Sequence, residues 1–496
     1  MKSSIFKRIF SRKMLTRLAF TLVVFMTLVM IIYRVEAWRG ERAWETYRKA
    51  AEARGVKLWL KDFVTPSIPD EQNYAAIPFF KLRFGSEEEA KAAAELLPQL
   101  TSTPVKRPSV GAISGAPSAR IEEWRDYLVK LKVIPAPSEN AARDIISAFE
   151  KIPGLQQLRD AASRPQCRFP VQIEKGFAAT LPHLGPIQQA GFYFHLDAEA
   201  RIAAGDRAGA LDDCMQIFRL SDAARTDPFL ISLLVRFSIL EKAELLIRRG
   251  LVVGIWKEDD LAVLERRLAA QNLVGDYRNA MASERAGMTT EFERLARSTA
   301  ASAGETWSAL SLPPAGGAVY PRGWLYMSMV KGNELHDAWS LAIAPIDGAE
   351  PEFIAPRVNG GPLRELSNLS SVDRFRYALV VLMMPVLDSI ESSLLRASAN
   401  LAQTRIACAL ERARLSTGAF PETLAGVAAH FGGSIPKDIC DGKPMRYRRT
   451  ADGYELWSVG VDRVDDGGRQ HPDESESKKQ PDWLWKLVLG VNPANQ

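Results

Sequence analysis

The side chains able to do chemistry are scattered along this sequence. Five histidines, His183, His195, His336, His430 and His471, are the natural general bases and metal ligands. None is set in H-E-x-x-H, and none stands within helical reach of a second histidine, which leaves no helix-borne zinc pair. His195 and Glu199 lie at i and i+4 on one helical face, a spacing that predicts a surface or capping contact, while Asp197 points elsewhere. Asp212-Asp213 and Asp259-Asp260 fall at or near predicted helix starts, where acids complement the helix dipole. There is no G-x-S-x-G elbow, no Walker glycine loop and no dinucleotide fingerprint after a strand. Cys167, Cys214, Cys408 and Cys440 form no C-x-x-C and have no histidine at zinc-finger spacing. Export would permit disulfides in three connectivities, and unpaired, mostly buried thiols are the plainer reading. No catalytic residue is assigned, and only a dispersed site would escape this reading.

The element that positions everything else is Leu18–Tyr33, sixteen uncharged residues between Arg17 and Arg34. As a helix it spans roughly 24 Å. That approaches the ~30 Å hydrocarbon core, and the arginine stems close the gap. Residues 18–34 therefore read as a transmembrane helix, with the lipid bilayer as the first partner. Cleavage after Val35-Glu36-Ala37 is the alternative. Six basic residues and no acid precede the span, against five basic residues just after it. Ile5, Phe6, Ile9, Phe10 and Met14 share one face of the tail, which suits a helix resting on an anionic leaflet. The expected placement is a bacterial inner (cytoplasmic) membrane, with tail 1–17 cytoplasmic and the body extracytoplasmic.

The net charge of +5 is carried by that tail, so the remaining chain is close to neutral and gives no argument for nucleic acid. Glu36 to Arg54 predicts a stalk helix capped by Gly55, with Trp38, Trp44, Tyr47 and Ala51 in its repeat. Pro66, Pro69, Pro78, Phe79 and Phe80 predict an extended, packed connection, and Ser86-Glu87-Glu88-Glu89 a capping box. Helices are expected at 119–132 and 138–151, the second opened by Ser138. Ala203 to Leu211 looks like the hinge of a tetratricopeptide-type pair, with Asp206 capping the second helix, though without a 34-residue repeat. Helices at 228–249, 258–271 and 273–298 follow, with Gly250 placed after a C-terminus. Tyr377 to Leu387 is too short for a second span and reads as a buried helix kinked at Pro385.

Residues 389–468 have the clearest plan. A long helix runs into Gly418-Ala419-Phe420-Pro421-Glu422-Thr423-Leu424, then Asp438, Asp441-Gly442-Lys443-Pro444 and Tyr447. Alternation on either side of Ala451-Asp452-Gly453 predicts a β-hairpin, ending in Ser458-Val459-Gly460-Val461-Asp462 and an Asp/Gly loop. This order resembles the soluble half of a type II secretion major pseudopilin. The whole chain also resembles large, uncharacterised bacterial proteins that pair an N-terminal anchor with this ending. The resemblance implies calcium in the last loop, with Asp462, Asp465 and Asp466 as the matching ligands. Val464 stands where an EF-hand would need a ligand, so the alternative is a solvated Asp/Gly turn. The internal position of the long helix argues against assembly into a pilus. The segment 483–489 reads as an edge strand or a docking peptide.

The expected fold is mainly α: one N-terminal transmembrane helix, an irregular or solenoid-like helical body, and a small C-terminal α+β pseudopilin-like module of long helix plus hairpin. Its segments are tail 1–17, span 18–34, stalk and first helices 35–165, helical array 166–300, loops and linking helix 301–371, module 372–468, and linker with terminal peptide 469–496. The expected function is an extracytoplasmic scaffold or interaction protein that binds another protein or an envelope component. An envelope enzyme with a dispersed site and an accessory part of a secretion or pilus-like system are the alternatives. A cleft gathering His195 or His336 with several acids would favour the enzyme.

Overall fold

A computed structural model describes residues 12–99, 117–298, 320–341, 361–469 and 482–488. Most of the amphipathic tail, the Ala/Ser/Pro/Gly-rich loops, most of the charged linker with His471, and the last eight residues lie outside them. The chain is mainly helical with a small C-terminal sheet. The apolar span and the stalk form one unbroken helix, α1 (Arg12–Ala53), because nothing between Tyr33 and Ala53 breaks the helical pattern. Its first part is apolar and exposed, and α1 is long and apolar enough to cross a membrane.

Past Glu36 the helix acquires a buried side at Gly40, Trp44 and Ala51, with Tyr47 partly covered. Trp38 is not on it. Its ring is exposed, and Gly40 takes the crossing point instead. The partner there is α11 (Arg322–Leu341), which fixes the stalk. Gly40 and Gly323 meet backbone to backbone. A Cβ on Gly40 would collide with the Gly323 carbonyl, and one on Gly323 with the Glu36 carbonyl. Three polar contacts pin the crossing. Trp324 Nε1 donates to Glu36 Oε2 (2.9 Å), Tyr47 OH donates to Asp337 Oδ2 (2.7 Å), and Arg54 Nη2 lies 2.9 Å from the same carboxylate.

Between these two helices in sequence come α2 (Glu87–Glu95), α3 (Pro117–Lys130), α4 (Ala141–Phe149), α5 (Pro153–Asp160), α6 (Leu184–Ala204), α7 (Arg207–Ala224), α8 (Leu230–Val253), α9 (Glu258–Ala269) and α10 (Leu273–Arg297). The Ser86–Glu89 capping box forms as expected. The α6–α7 hinge also follows the sequence: Gly205 adopts the left-handed conformation, and Asp206 accepts the Gly209 N–H. Two boundaries differ. Asn140, not Ser138, caps α4; Ser138 instead holds Asp144. Helix α8 runs through Gly250 to a left-handed Gly254. Gly250 is needed inside the helix because the Trp256 indole, donating to the Ile247 carbonyl, fills the place of its side chain.

After α11 come α12 (Gly361–Ser367), α13 (Ser371–Arg376), α14 (Ala378–Met383) and α15 (Pro385–Thr417), so the chain breaks just before Pro385. The predicted hairpin is β1 (Arg446–Thr450) and β2 (Gly453–Ser458), closed by Ala451-Asp452. The terminal peptide is β3 (Trp483–Val488), which adds antiparallel to β2 and gives the order β1-β2-β3. Asp438 holds the end of β2. Its buried carboxylate accepts from Ser458 Oγ and the Cys440 and Val459 N–H groups and faces Arg446 at 3.1 Å. One connected core runs from Trp44 to Leu487.

Because the Gly323 collision is with backbone, side-chain rearrangement cannot relieve it. Gly323→Ala should lower stability by about 1–3 kcal/mol. Gly185→Ala, where a Cβ meets nothing, should be near neutral. Thermal or denaturant melts of the detergent-solubilised chain check both.

Candidate functional site

The side chains singled out from the sequence do not converge. His195 and Glu199 are buried rather than on the surface, with Nε2 and Oε1 3.9 Å apart. Arg120 lies 3.0 Å from Glu199, and Arg249 Nε lies 3.6 Å from it. Burial lowers the proton affinity of His195. The hollow beside this cluster is about 10 Å³ and holds no substrate. Asp213 is not a helix-start acid. It is buried in the second turn of α7 beside Asp197, where Arg159 and Arg201 bridge both carboxylates and tie α5 to α6 and α7. Asp260 does sit in the first turn of α9, accepting the Lys257 N–H. His336 is buried and pushed down to about 3, so it is neutral.

One histidine contact escaped the sequence. His183 Nε2 lies 2.5 Å from Asp227 Oδ2, with its ring stacked on Phe84 and Phe169. The partners are too far apart in sequence for spacing to pair them. All four cysteines are free thiols, and three are buried.

The carboxylates of the last loop are turned to different partners. Asp462 accepts the Val464 N–H, and Asp465 accepts Trp457 Nε1 and the Gly467 N–H, with Arg446 Nε at 3.4 Å. The Asp466 N–H donates to Asp482. An arginine supplies the positive charge at this loop. Among the described residues no three His, Cys, Asp or Glu side chains gather around a point that could hold a metal ion.

The candidate site lies elsewhere, in a cleft of about 720 Å³ between α8, α15 and β3. That volume suits a small molecule or a short peptide segment. Three devices shape it. Gln403 on α15 donates to the Trp483 carbonyl at 2.6 Å and so fastens β3 to the long helix. Arg248 on α8 lies over the Trp485 ring, its carbon 4.3 Å from the centroid, and Arg396 on α15 lies 4.8 Å over Trp483. Asp482, at the start of β3, accepts the N–H groups of Asp466 and Gly468 through Oδ2 and leaves Oδ1 without a partner.

Glu244 is the unusual acid of the cleft. Only 5% of it is exposed and its Oε1 has no hydrogen-bond partner. Burial, with Glu241 nearby, holds its carboxyl well above the usual range, which favours the protonated, hydrogen-bond-donating form. The cleft thus offers a buried acid and two planar cations, without histidine or an activated nucleophile among its lining residues.

These residues had a faint signature in the sequence. Glu241, Glu244 and Arg248 repeat at i, i+3 and i+7, a polar stripe on a helix otherwise read for its apolar face. Trp483 and Trp485 alternate with Leu484 and therefore point to one side of a strand. The chain matches no known protein family, no curated protein and no solved structure.

A carboxyl raised by burial has a pH consequence. The ordinary value of 4.5 applies to the unfolded chain, and the folded value is raised, so the folded state binds the extra proton. Stability therefore falls as pH rises above 4.5. Glu244→Gln keeps the shape without titrating. It should be close to wild type near pH 4.5 and more stable by about 1–3 kcal/mol at alkaline pH. Melts of both proteins across pH 4.5 to about 9 give the comparison.

Proposed function

We propose that this chain is a single-span membrane protein of the bacterial inner membrane whose extracytoplasmic body binds another protein or an envelope component through the α8–α15–β3 cleft. The observation that carries the reading is the cleft itself: a hollow of about 720 Å³ whose two arginines have, among the described residues, no carboxylate within ion-pair distance. A wall needed only for stability would pair its own charges, as Arg159 and Arg201 do with Asp197 and Asp213. The basic bias before the span supports a cytoplasmic N-terminus. The clamp of α11 on α1 supports a body held at a fixed angle to the bilayer.

Two alternatives each have one observation in their favour. Glu244, its carboxyl raised by burial and by neighbouring Glu241, resembles with it the acid and base pair of a hydrolase. The order of α15, hairpin and Asp/Gly loop supports an accessory role in a secretion or pilus-like system, with β3 as an addition to that plan.

The test is a photo-crosslinking amino acid at Ser392, on the cleft rim, compared with one at exposed Leu415 at the far end of α15. In intact cells Ser392 should yield a discrete adduct that mass spectrometry identifies, and Leu415 should not. Equal labelling, or none from Ser392, contradicts binding in the cleft. Alkaline carbonate should leave the protein in the membrane pellet, and a periplasm-dependent reporter fused after residue 60 should be active. A reporter active only in the cytoplasm reverses the orientation.

A further inference from the structure

The chemistry of the cleft is more specific than its volume. Among the described residues neither Arg248 nor Arg396 has a carboxylate within ion-pair distance. The other large hollows differ. In one of about 290 Å³, Arg225 and Arg236 are both paired with Asp276. In one of about 420 Å³ beside the stalk, Arg48 is paired with Glu45 and Glu52, and Arg297 pairs with Glu293.

The acids near Arg248 do not neutralise it. Glu244, one turn before it, is held well above the usual carboxylate range by burial, which disfavours its charged form, and the guanidinium lies over Trp485. Asp482 directs one oxygen to two backbone N–H groups. Glu241 is exposed at the rim, where its field reaches Arg396. Arg248 Nε is sequestered from water without a hydrogen-bond partner. Burial pulls Arg248 down to about 10, so it is still charged at neutral pH. A desolvated cation with no counter-charge is unfavourable until an anion reaches it.

We propose that Arg248, with Arg396 at the rim, forms an anion-recognition site that takes the carboxylate or phosphate group of the ligand bound in this cleft. The two tryptophans set the geometry. Two residues apart on β3, they stand about 7 Å from one another on one face, and each has a guanidinium carbon over its ring. A guanidinium held by an aromatic face can still offer N–H groups for charge-assisted bonds to oxygens. Glu244, its carboxyl raised by burial and its Oε1 without a hydrogen-bond partner, adds a polar group for the same anion or for the polar body that carries it. The proposal rests on the cleft being the recognition surface.

The experiment uses full-length protein in lipid nanodiscs. Thermal midpoints are followed against inorganic phosphate, and separately against acetate, each beside sodium chloride at equal ionic strength. A saturable rise with phosphate alone assigns a phosphate-bearing ligand; a saturable rise with acetate assigns a carboxylate. Arg248→Gln should weaken the apparent affinity by about tenfold or more, and Arg396→Gln by less, because its position is more exposed. Without added anion, Arg248→Gln should melt no lower than wild type, since it removes an uncompensated charge. A rise equal to that in chloride, or the same response in Arg248→Gln, overturns the proposal. So does a lowered anion-free midpoint in that variant with its anion response intact, which would make Arg248 a packing residue. Anion binding without a crosslink at Ser392 would count against the partner reading alone. A crosslink without a saturable anion response would count against the anion site alone.

Discussion

The contact between Gly40 and Gly323 is the constraint on which the arrangement depends. Two helices can approach this closely only where neither has a side chain, and here the missing side chains lie just beyond the apolar part of α1. The result joins an apolar rod to a folded body without a flexible hinge between them. Asp337 reinforces the junction by gathering Tyr47 and Arg54 from α1 and Arg285 from α10. The helix that would lie in a bilayer is therefore tied to the helical array by backbone contact, buried aromatic packing and a shared carboxylate.

Buried charge is handled in two ways in this chain. In two buried networks, one in the body and one in the sheet module, it is satisfied internally. Arg159 and Arg201 bridge Asp197 and Asp213, and Asp438 is surrounded by donors at the end of β2. Such groups fix the mutual position of elements, since losing any partner strands the others in a medium of low polarity. The α8–α15–β3 cleft follows the opposite rule. Burial holds the Glu244 carboxyl well above its usual range, and Arg248 is charged although no carboxylate pairs with it. Unmet electrostatic demand, rather than size alone, distinguishes this hollow from the others.

Local features were legible in the sequence where local chemistry decides. The uncharged run 18–33, the Ser86 capping box, the Gly205-Asp206 hinge and the Ala451-Asp452 hairpin all depend on residues within a few positions of one another. What depends on contacts between distant segments was not legible. The stalk repeat pointed to Trp38 rather than to Gly40, whose role exists only because Gly323 lies against it. Gly250 looked like a helix terminator until Trp256 was found in the space beside it. His195 read as a surface or capping contact with Glu199, and Asp213 as a helix-start acid, because spacing shows the helix face but not what covers it. The cleft was invisible for the same reason: its walls come from residues around 245, 400 and 484, and β3 closes it only by pairing with β2.

The central claim is that the apolar rod and the helical body form one rigid unit. Pulsed electron paramagnetic resonance tests it directly, with spin labels at exposed Glu52 on α1 and exposed Glu334 on α11 in full-length protein. A single narrow distance distribution, unchanged between detergent and lipid nanodiscs, is the predicted result. A broad distribution, or one that shifts when the bilayer is supplied, would show that the stalk moves freely against the body and would contradict the account.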